Sequence, residues 1–220
     1  MRRTTLASFA LLTLARFVQA FGSTQESWLG GTQPWDSVPY FEMNVGVHGS
    51  GGDGRPQMGP LVEVGLHDQI MVACTWDQPL DSAPGSGGLM LKLREAGFPR
   101  WRPAMALYAR TGLGTLSTDA RAGLVLGLEP WDHSLALNLE TGPSGPGLRL
   151  GYWTPYVVSF VRLGFEGVLP DPNSAWRLLP QVALEAMGDV SAVLGAQTLS
   201  DGSGRWTALM RVSYEFFPSP

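Results

Sequence analysis

Ala120-Arg121-Ala122-Gly123-Leu124-Val125-Leu126-Gly127-Leu128-Glu129 and Ser134-Leu135-Ala136-Leu137-Asn138-Leu139-Glu140 are two alternating runs joined by Pro130-Trp131-Asp132-His133. Ala122, Leu124, Leu126 and Leu128 alternate with Arg121, Gly123, Gly127 and Glu129. After Pro130-Trp131-Asp132, Leu135, Leu137 and Leu139 alternate with Ser134, Asn138 and Glu140. A period of two places one residue set on each face of a strand. The residues between the two runs read as a tight turn, so the whole reads as an antiparallel hairpin.

The same pattern extends in both directions. Alternating runs fall near 41–48, 62–67, 70–77, 89–94, 105–110, 121–129, 134–140, 148–152, 161–166, 178–186, 190–197 and 206–216. That predicts an all-β chain of about twelve strands, with ten as the alternative count. Short turns are expected at 67–69, 130–132, 154–155 and 188–189, with a longer one at 96–102. Looser Gly- and Pro-rich stretches at 49–59, 78–87, 111–119, 141–147, 167–175 and 199–204 alternate with them. Tight turns at one end and long loops at the other are the arrangement of an up-and-down barrel in a bacterial outer membrane.

Composition agrees. Charged residues make up only 15%, against 28 Gly and 17 Pro, and Lys92 is the single lysine. No run after the first twenty residues reaches the roughly 20 apolar residues that a membrane-spanning helix requires. Arg2 and Arg3, the apolar run Leu6–Ala15 and Val18-Gln19-Ala20 read as a cleaved signal peptide over residues 1–20. Residues 21–37 then form a lead-in and 38–217 the barrel. Without the signal segment the chain holds twelve basic and nineteen acidic residues, a net −7 that argues against nucleic acid as a partner. Cys74, alone, is read as a small apolar strand residue.

Period two does not by itself say which face points inward. Three features favour an apolar exterior in lipid. The polar face is thinned by Gly46, Gly65, Ala73, Gly123, Gly127, Gly151, Gly164 and Gly195, which suits a confined lumen. Aromatics close the ends of the apolar face: Trp76, Trp176 and Trp206 at one rim, Phe41, Tyr152, Tyr214 and Phe216 at the other, as two interfacial girdles. The last strand ends Tyr214-Glu215-Phe216-Phe217, which resembles the C-terminal signal read by barrel-assembly machinery. Outer-membrane lipid and that machinery are therefore the expected partners.

Residues 62–72, VEVGLHDQIMV, resemble a hairpin common in bacterial outer-membrane barrels. Residues 91–97, LKLREAG, followed by 101–106, WRPAMA, resemble the corresponding hairpin of YjbH-like barrels associated with exopolysaccharide production. The resemblance spans residues 60–110. It implies the barrel fold and an envelope role connected with polysaccharide.

Among the charges on the lumen parity, mixed signs predict an Arg–carboxylate network. Arg110 and Arg121 should face each other across one hairpin, with Arg149 two strands on beside Glu140. Like charges set opposite are destabilising unless an anion neutralises them. These four residues are therefore the candidate binding site at the barrel mouth, with an anionic polysaccharide as the candidate ligand. Spacing alone puts no Ser or carboxylate beside His48, while His67 and His133 fall in turns. Ser159 is the only serine within a strand on the lipid parity, and it has no histidine with it. No catalytic constellation, metal-ligand spacing or cofactor motif emerges, and the expectation is a non-enzyme. A narrow conduit or accessory barrel for envelope transport, with polysaccharide as the candidate cargo, is the leading function; a closed structural or surface-interaction barrel is the alternative, and an outer-membrane hydrolase the least favoured reading.

Overall fold

The computed structural model describes residues 42–52, 56–95, 102–115, 118–143, 145–169, 177–185, 190–199 and 206–216. Twelve strands follow in order: β1 (Met43–Gly52), β2 (Gln57–His67), β3 (Ile70–Pro79), β4 (Ser86–Arg94), β5 (Ala104–Gly114), β6 (Ala120–Leu128), β7 (Ser134–Gly142), β8 (Gly145–Trp153), β9 (Val161–Leu169), β10 (Arg177–Glu185), β11 (Val190–Leu199) and β12 (Trp206–Phe216). Each pairs antiparallel with its sequence neighbours, and β1 pairs with β12 from Met43↔Phe216 to Gly52↔Thr207, which closes the barrel. Closure removes every open sheet edge, as a strand structure surrounded by lipid requires. The first residue of β1 and the last of β12 share one rim, the terminal rim; the opposite one is the far rim.

The faces sort as the alternation requires. Every large apolar strand residue that is exposed, from Val47 and Leu91 to Leu107, Leu163 and Val212, stands on the outward parity. The buried polar residues Asn44, Glu63, Lys92, Asn138, Glu140, Arg162, Glu166, Gln181, Arg211 and Glu215 all stand on the inward parity. An exterior of leucine and valine around a polar-bearing interior inverts the pattern of a soluble barrel and is the transmembrane arrangement. No helix among the described residues is long and apolar enough to cross a membrane; the strands cross it instead.

The girdles are visible in part. Trp76 lies outward near the far rim, flat over positions 85, 87 and 114, where a Cβ would stand 2.7–3.1 Å from its ring. At the terminal rim, Tyr214 and Phe216 face outward edge-to-face at 4.6 Å. Tyr152 stacks on His133 there, its hydroxyl 2.7 Å from Nδ1. Phe41 and Trp176 lie outside the described residues, as do the segments 1–20 and 21–37. Trp206 enters the ladder opposite Thr198, which places it at the far rim.

The connections correct the sequence reading. The stretch 141–147 is not a loop, because β7 runs to Gly142 and β8 begins at Gly145. Likewise β1 continues through Gly51 and Gly52, paired with Ala208 and Thr207. Glycine and proline weaken a strand end but do not forbid pairing there, so loop composition overestimates loop length. Conversely, 154–160 is a seven-residue connection rather than a two-residue turn, and Ser159 lies in it, not in a strand. Loop length therefore does not distinguish the two rims.

The interior is not uniformly polar. Tyr108, Val125, Trp153 and Val193 belong to one buried cluster with Ala104, Ala106 and Ala136, and Met90 joins it to Met71 and Ala73. Val193 is on β11 and the other buried members are on β5 to β8, which do not adjoin it, so the cluster spans the lumen. It fills the half of the barrel near the terminal rim. Two inward rings fold over cross-strand glycines: Tyr108 over Gly123 and Trp153 over Gly164, each glycine lacking the Cβ that would stand 2.4 Å from the ring. Gly164→Ala should unseat Trp153, which is 1% exposed and has no room to move. We expect a loss of about 1–3 kcal/mol, the cost of overpacking a filled interior, read as a lower urea midpoint of the refolded barrel. An unchanged midpoint would show that the ring does not rest on Gly164.

Candidate functional site

Beyond the packed half, toward the far rim, the inward side chains become charged. The wall from β5 to β8 carries Arg110, Arg121, Glu140 and Arg149, all on the inward parity. Register brings them together. Arg110 pairs directly with Arg121, Glu140 stands opposite Gly123 on one side and Gly147 on the other, and Arg149 lies one diagonal from Glu140. The Tyr108 ring lies over Gly123, and the Glu140 side chain itself leans over Gly147, so neither neighbour sets a Cβ in the way.

All four predicted residues meet at the Glu140 carboxylate. Arg121 Nη1 and Arg149 Nη2 donate to Oε1, each at 3.0 Å. Arg149 Nε adds a longer bond to Oε1 at 3.3 Å. The Tyr108 hydroxyl donates to Oε2 at 2.9 Å, and Arg110 Nη2 stands 3.6 Å from the same oxygen. Arg121 Nε is also bonded to Asp119 at 2.8 Å. The carboxylate side chain is 4% exposed, and charge-assisted bonds are strongest where water is excluded. Three guanidiniums on one carboxylate leave the cluster at +2, or +1 when Asp119 is included.

A second charged chain runs round β12, β1, β2 and β3. Arg211 Nη2 lies 3.1 Å from Glu63 Oε2, with Asn44 at 3.5 Å from the same oxygen. Higher on that wall, His48 Nε2 and Asp77 Oδ1 are 2.6 Å apart. Spacing in the sequence gave His48 no carboxylate, and the structure corrects this. Gly59 lies opposite His48 on the intervening strand, and the backbone at Trp76 passes so close to it that there is no room for a Cβ. Sequence reading also passed over Tyr108 as a ligand of Glu140 and Trp153 as lumen filling. Both were legible only through the cross-strand glycines, since each ring needs one opposite it.

Among the described residues, no group of three or more His, Cys, Asp or Glu side chains is placed to hold a metal ion. What the arrangement offers is recognition: planar, bidentate-capable guanidiniums suited to carboxylate or phosphate oxygens.

No family model matches the chain, and no curated protein does. Solved structures do. The chain is similar to the structure "KdgM porin in complex with disordered oligogalacturonate", with a TM-score of 0.69 at 10% identity, covering 79% of this chain and 99% of that one. It is similar also to "KdgM porin", with a TM-score of 0.63 at 10% identity and the same coverage. At this identity the likeness concerns architecture, and it does not bear on the local resemblance of residues 60–110 to YjbH-like barrels. The fold is a closed, twelve-stranded, antiparallel transmembrane barrel of porin type.

Proposed function

We propose that the protein is a bacterial outer-membrane barrel that binds acidic saccharides in an arginine-walled vestibule facing the cell exterior. The observation that carries this reading is the gathering of Arg110, Arg121 and Arg149 on the single carboxylate of Glu140. The surplus positive charge sits partly shielded from water, where an anionic ligand gains most from it. An even strand number puts both chain ends on one rim; for an exported chain that rim faces the periplasm, and the vestibule faces out. The C-terminal strand, ending Tyr214-Glu215-Phe216, is then the handle for barrel-assembly machinery. The similar porin whose structure holds oligogalacturonate, a polymer of uronic acids, supports the ligand class. So does the resemblance of residues 60–110 to exopolysaccharide-associated barrels.

A narrow conduit is the second reading, favoured by the likeness to KdgM porin over 99% of that chain. Against it stands the buried cluster joining β5, β6, β8 and β11 across the lumen, which a conduit has to displace. Titration of the refolded barrel with trigalacturonate and maltotriose, beside planar-bilayer recordings, separates these readings. We expect trigalacturonate to bind, the binding to weaken as salt screens the charges, maltotriose to bind far less, and the bilayers to stay electrically silent. Steady conductance with the same selectivity would favour the conduit. Equal binding of the neutral sugar would retire the acidic ligand.

A further inference from the structure

The three arginines around Glu140 are not equivalent. Arg121 and Arg149 each hold Oε1 at 3.0 Å, and Arg121 has Asp119 besides. Oε2 is taken by the Tyr108 hydroxyl at 2.9 Å. Arg110 is left with Nη2 at 3.6 Å from Oε2, beyond hydrogen-bonding distance, and with a buried Nε that has no hydrogen-bond acceptor. It is nevertheless the most exposed of the three side chains, at 29% against 24% for Arg121 and 13% for Arg149.

We infer that Arg110 is the guanidinium that grasps the ligand carboxylate, and that Tyr108 is a positioning residue that keeps Arg110 available by occupying the Glu140 oxygen it would otherwise take. Tyr108 and Arg110 stand two residues apart on the same face of β5, so both reach toward the same carboxylate. Tyr108 holds the oxygen because its place is fixed: the ring is 4% exposed and lies against Gly123. Arg110 is kept off by Arg121, a like charge paired directly opposite. Removing the phenol leaves Oε2 buried with one donor fewer, and Arg110 Nη2 is the nearest cation to replace it. Arg110 then collapses onto Glu140, although the charge of the vestibule has not changed. A ligand held by bulk electrostatics would not notice that substitution; one held by Arg110 would.

The choice of a uronate carboxylate rests on the acidic-saccharide reading, whereas the division of labour among the arginines does not. The test therefore has two arms. In the first, the refolded barrel is treated with phenylglyoxal and the modified arginines are mapped by mass spectrometry. Arg110 should react about tenfold faster than Arg121 or Arg149, the factor set by one charged hydrogen bond, and in Y108F its rate should fall to theirs. In the second arm, trigalacturonate should bind Y108F and R110Q about tenfold more weakly than the parent. The double variant should be no worse than R110Q alone, because both changes remove the same contact. Arg121 or Arg149 reacting before Arg110 in the parent protein would overturn the inference, and that measurement needs no variant to fold. Unaltered Arg110 reactivity in a folded Y108F would overturn it as well. If the reactivity pattern holds but the parent does not bind trigalacturonate, the saccharide reading falls and the Arg110–Tyr108 relation stands.

Discussion

Glu140→Gln is expected to destabilise the barrel by about 3–5 kcal/mol, the cost of taking one partner from a buried ion pair. Its carboxylate is 4% exposed and accepts from Arg121, Arg149 and Tyr108 while standing 3.6 Å from Arg110. Glutamine is nearly isosteric, so packing is unaltered and the effect is electrostatic. The amide oxygen can replace one carboxylate oxygen as an acceptor, but the NH2 group then points a donor at a phenol or a guanidinium. The three arginines lose their common counterion, and Arg110 and Arg121, directly opposite in the ladder, repel without relief. Urea unfolding of the refolded protein in lipid vesicles measures the loss. R110Q should cost much less than Glu140→Gln, because Arg121 and Arg149 still neutralise the acid. Adding R121Q and R149Q to Glu140→Gln should restore part of the stability. If Glu140→Gln were as stable as the parent, the cluster would not be held by its carboxylate, and the vestibule would owe its order to backbone register alone.

The barrel was legible in the sequence because its driving pattern is local. The alternation of Leu135, Leu137 and Leu139 with Ser134, Asn138 and Glu140 determines which face each residue takes, and a one-residue slip would put Glu140 in lipid. Strand number and closure follow from repeating that pattern twelve times. Arg110 opposite Arg121 was legible for the same reason, since a hairpin fixes its own register. Glu140 as their shared counterion was harder to read, because it depends on how far side chains lean along two further strands. His48 and Asp77 could not be paired from spacing at all: they lie 29 residues apart, on two strands that β2 separates. Loop lengths were misread in the opposite way. Gly51, Gly52, Pro146 and Gly147 carry the composition of loops, yet ladder bonds to fixed partners keep them in strands.

The packed lower lumen bears on what the vestibule does. Inward Tyr108, Val125 and Trp153 occupy volume that a water-filled pore leaves open, and the glycines opposite two of these rings show that their places are built in. A filled lumen with a charged mouth concentrates a ligand at the surface, while the same mouth over an open lumen selects what enters. The Arg110–Glu140 geometry is common to both, so saccharide binding and conductance are separate measurements of separate parts of the barrel.

Leu107→Arg should abolish assembly into the membrane, and it tests the inside-out assignment on which every other statement depends. Leu107 is 57% exposed, stands on the outward parity of β5 and is flanked in register by Leu93 and Leu124. It lies four residues into a strand of eleven, inside the apolar band rather than in either girdle. An arginine on the lipid face near the midplane costs about 2–4 kcal/mol. Arg110, three residues further on, shows that the strand tolerates the same side chain on the opposite parity, where Glu140 receives it. The penalty therefore belongs to the face and not to the residue type. Leu107→Phe keeps the surface apolar and should assemble as the parent does, which separates loss of hydrophobicity from loss of shape. The readout is heat-modifiable mobility after refolding into vesicles, where the folded barrel resists dissociation in detergent and the unfolded chain does not. If Leu107→Arg instead yielded a folded protein that stayed in solution without detergent, the leucine face would be a surface toward water. The barrel would then be soluble, and the arginine vestibule would no longer mark one side of a membrane.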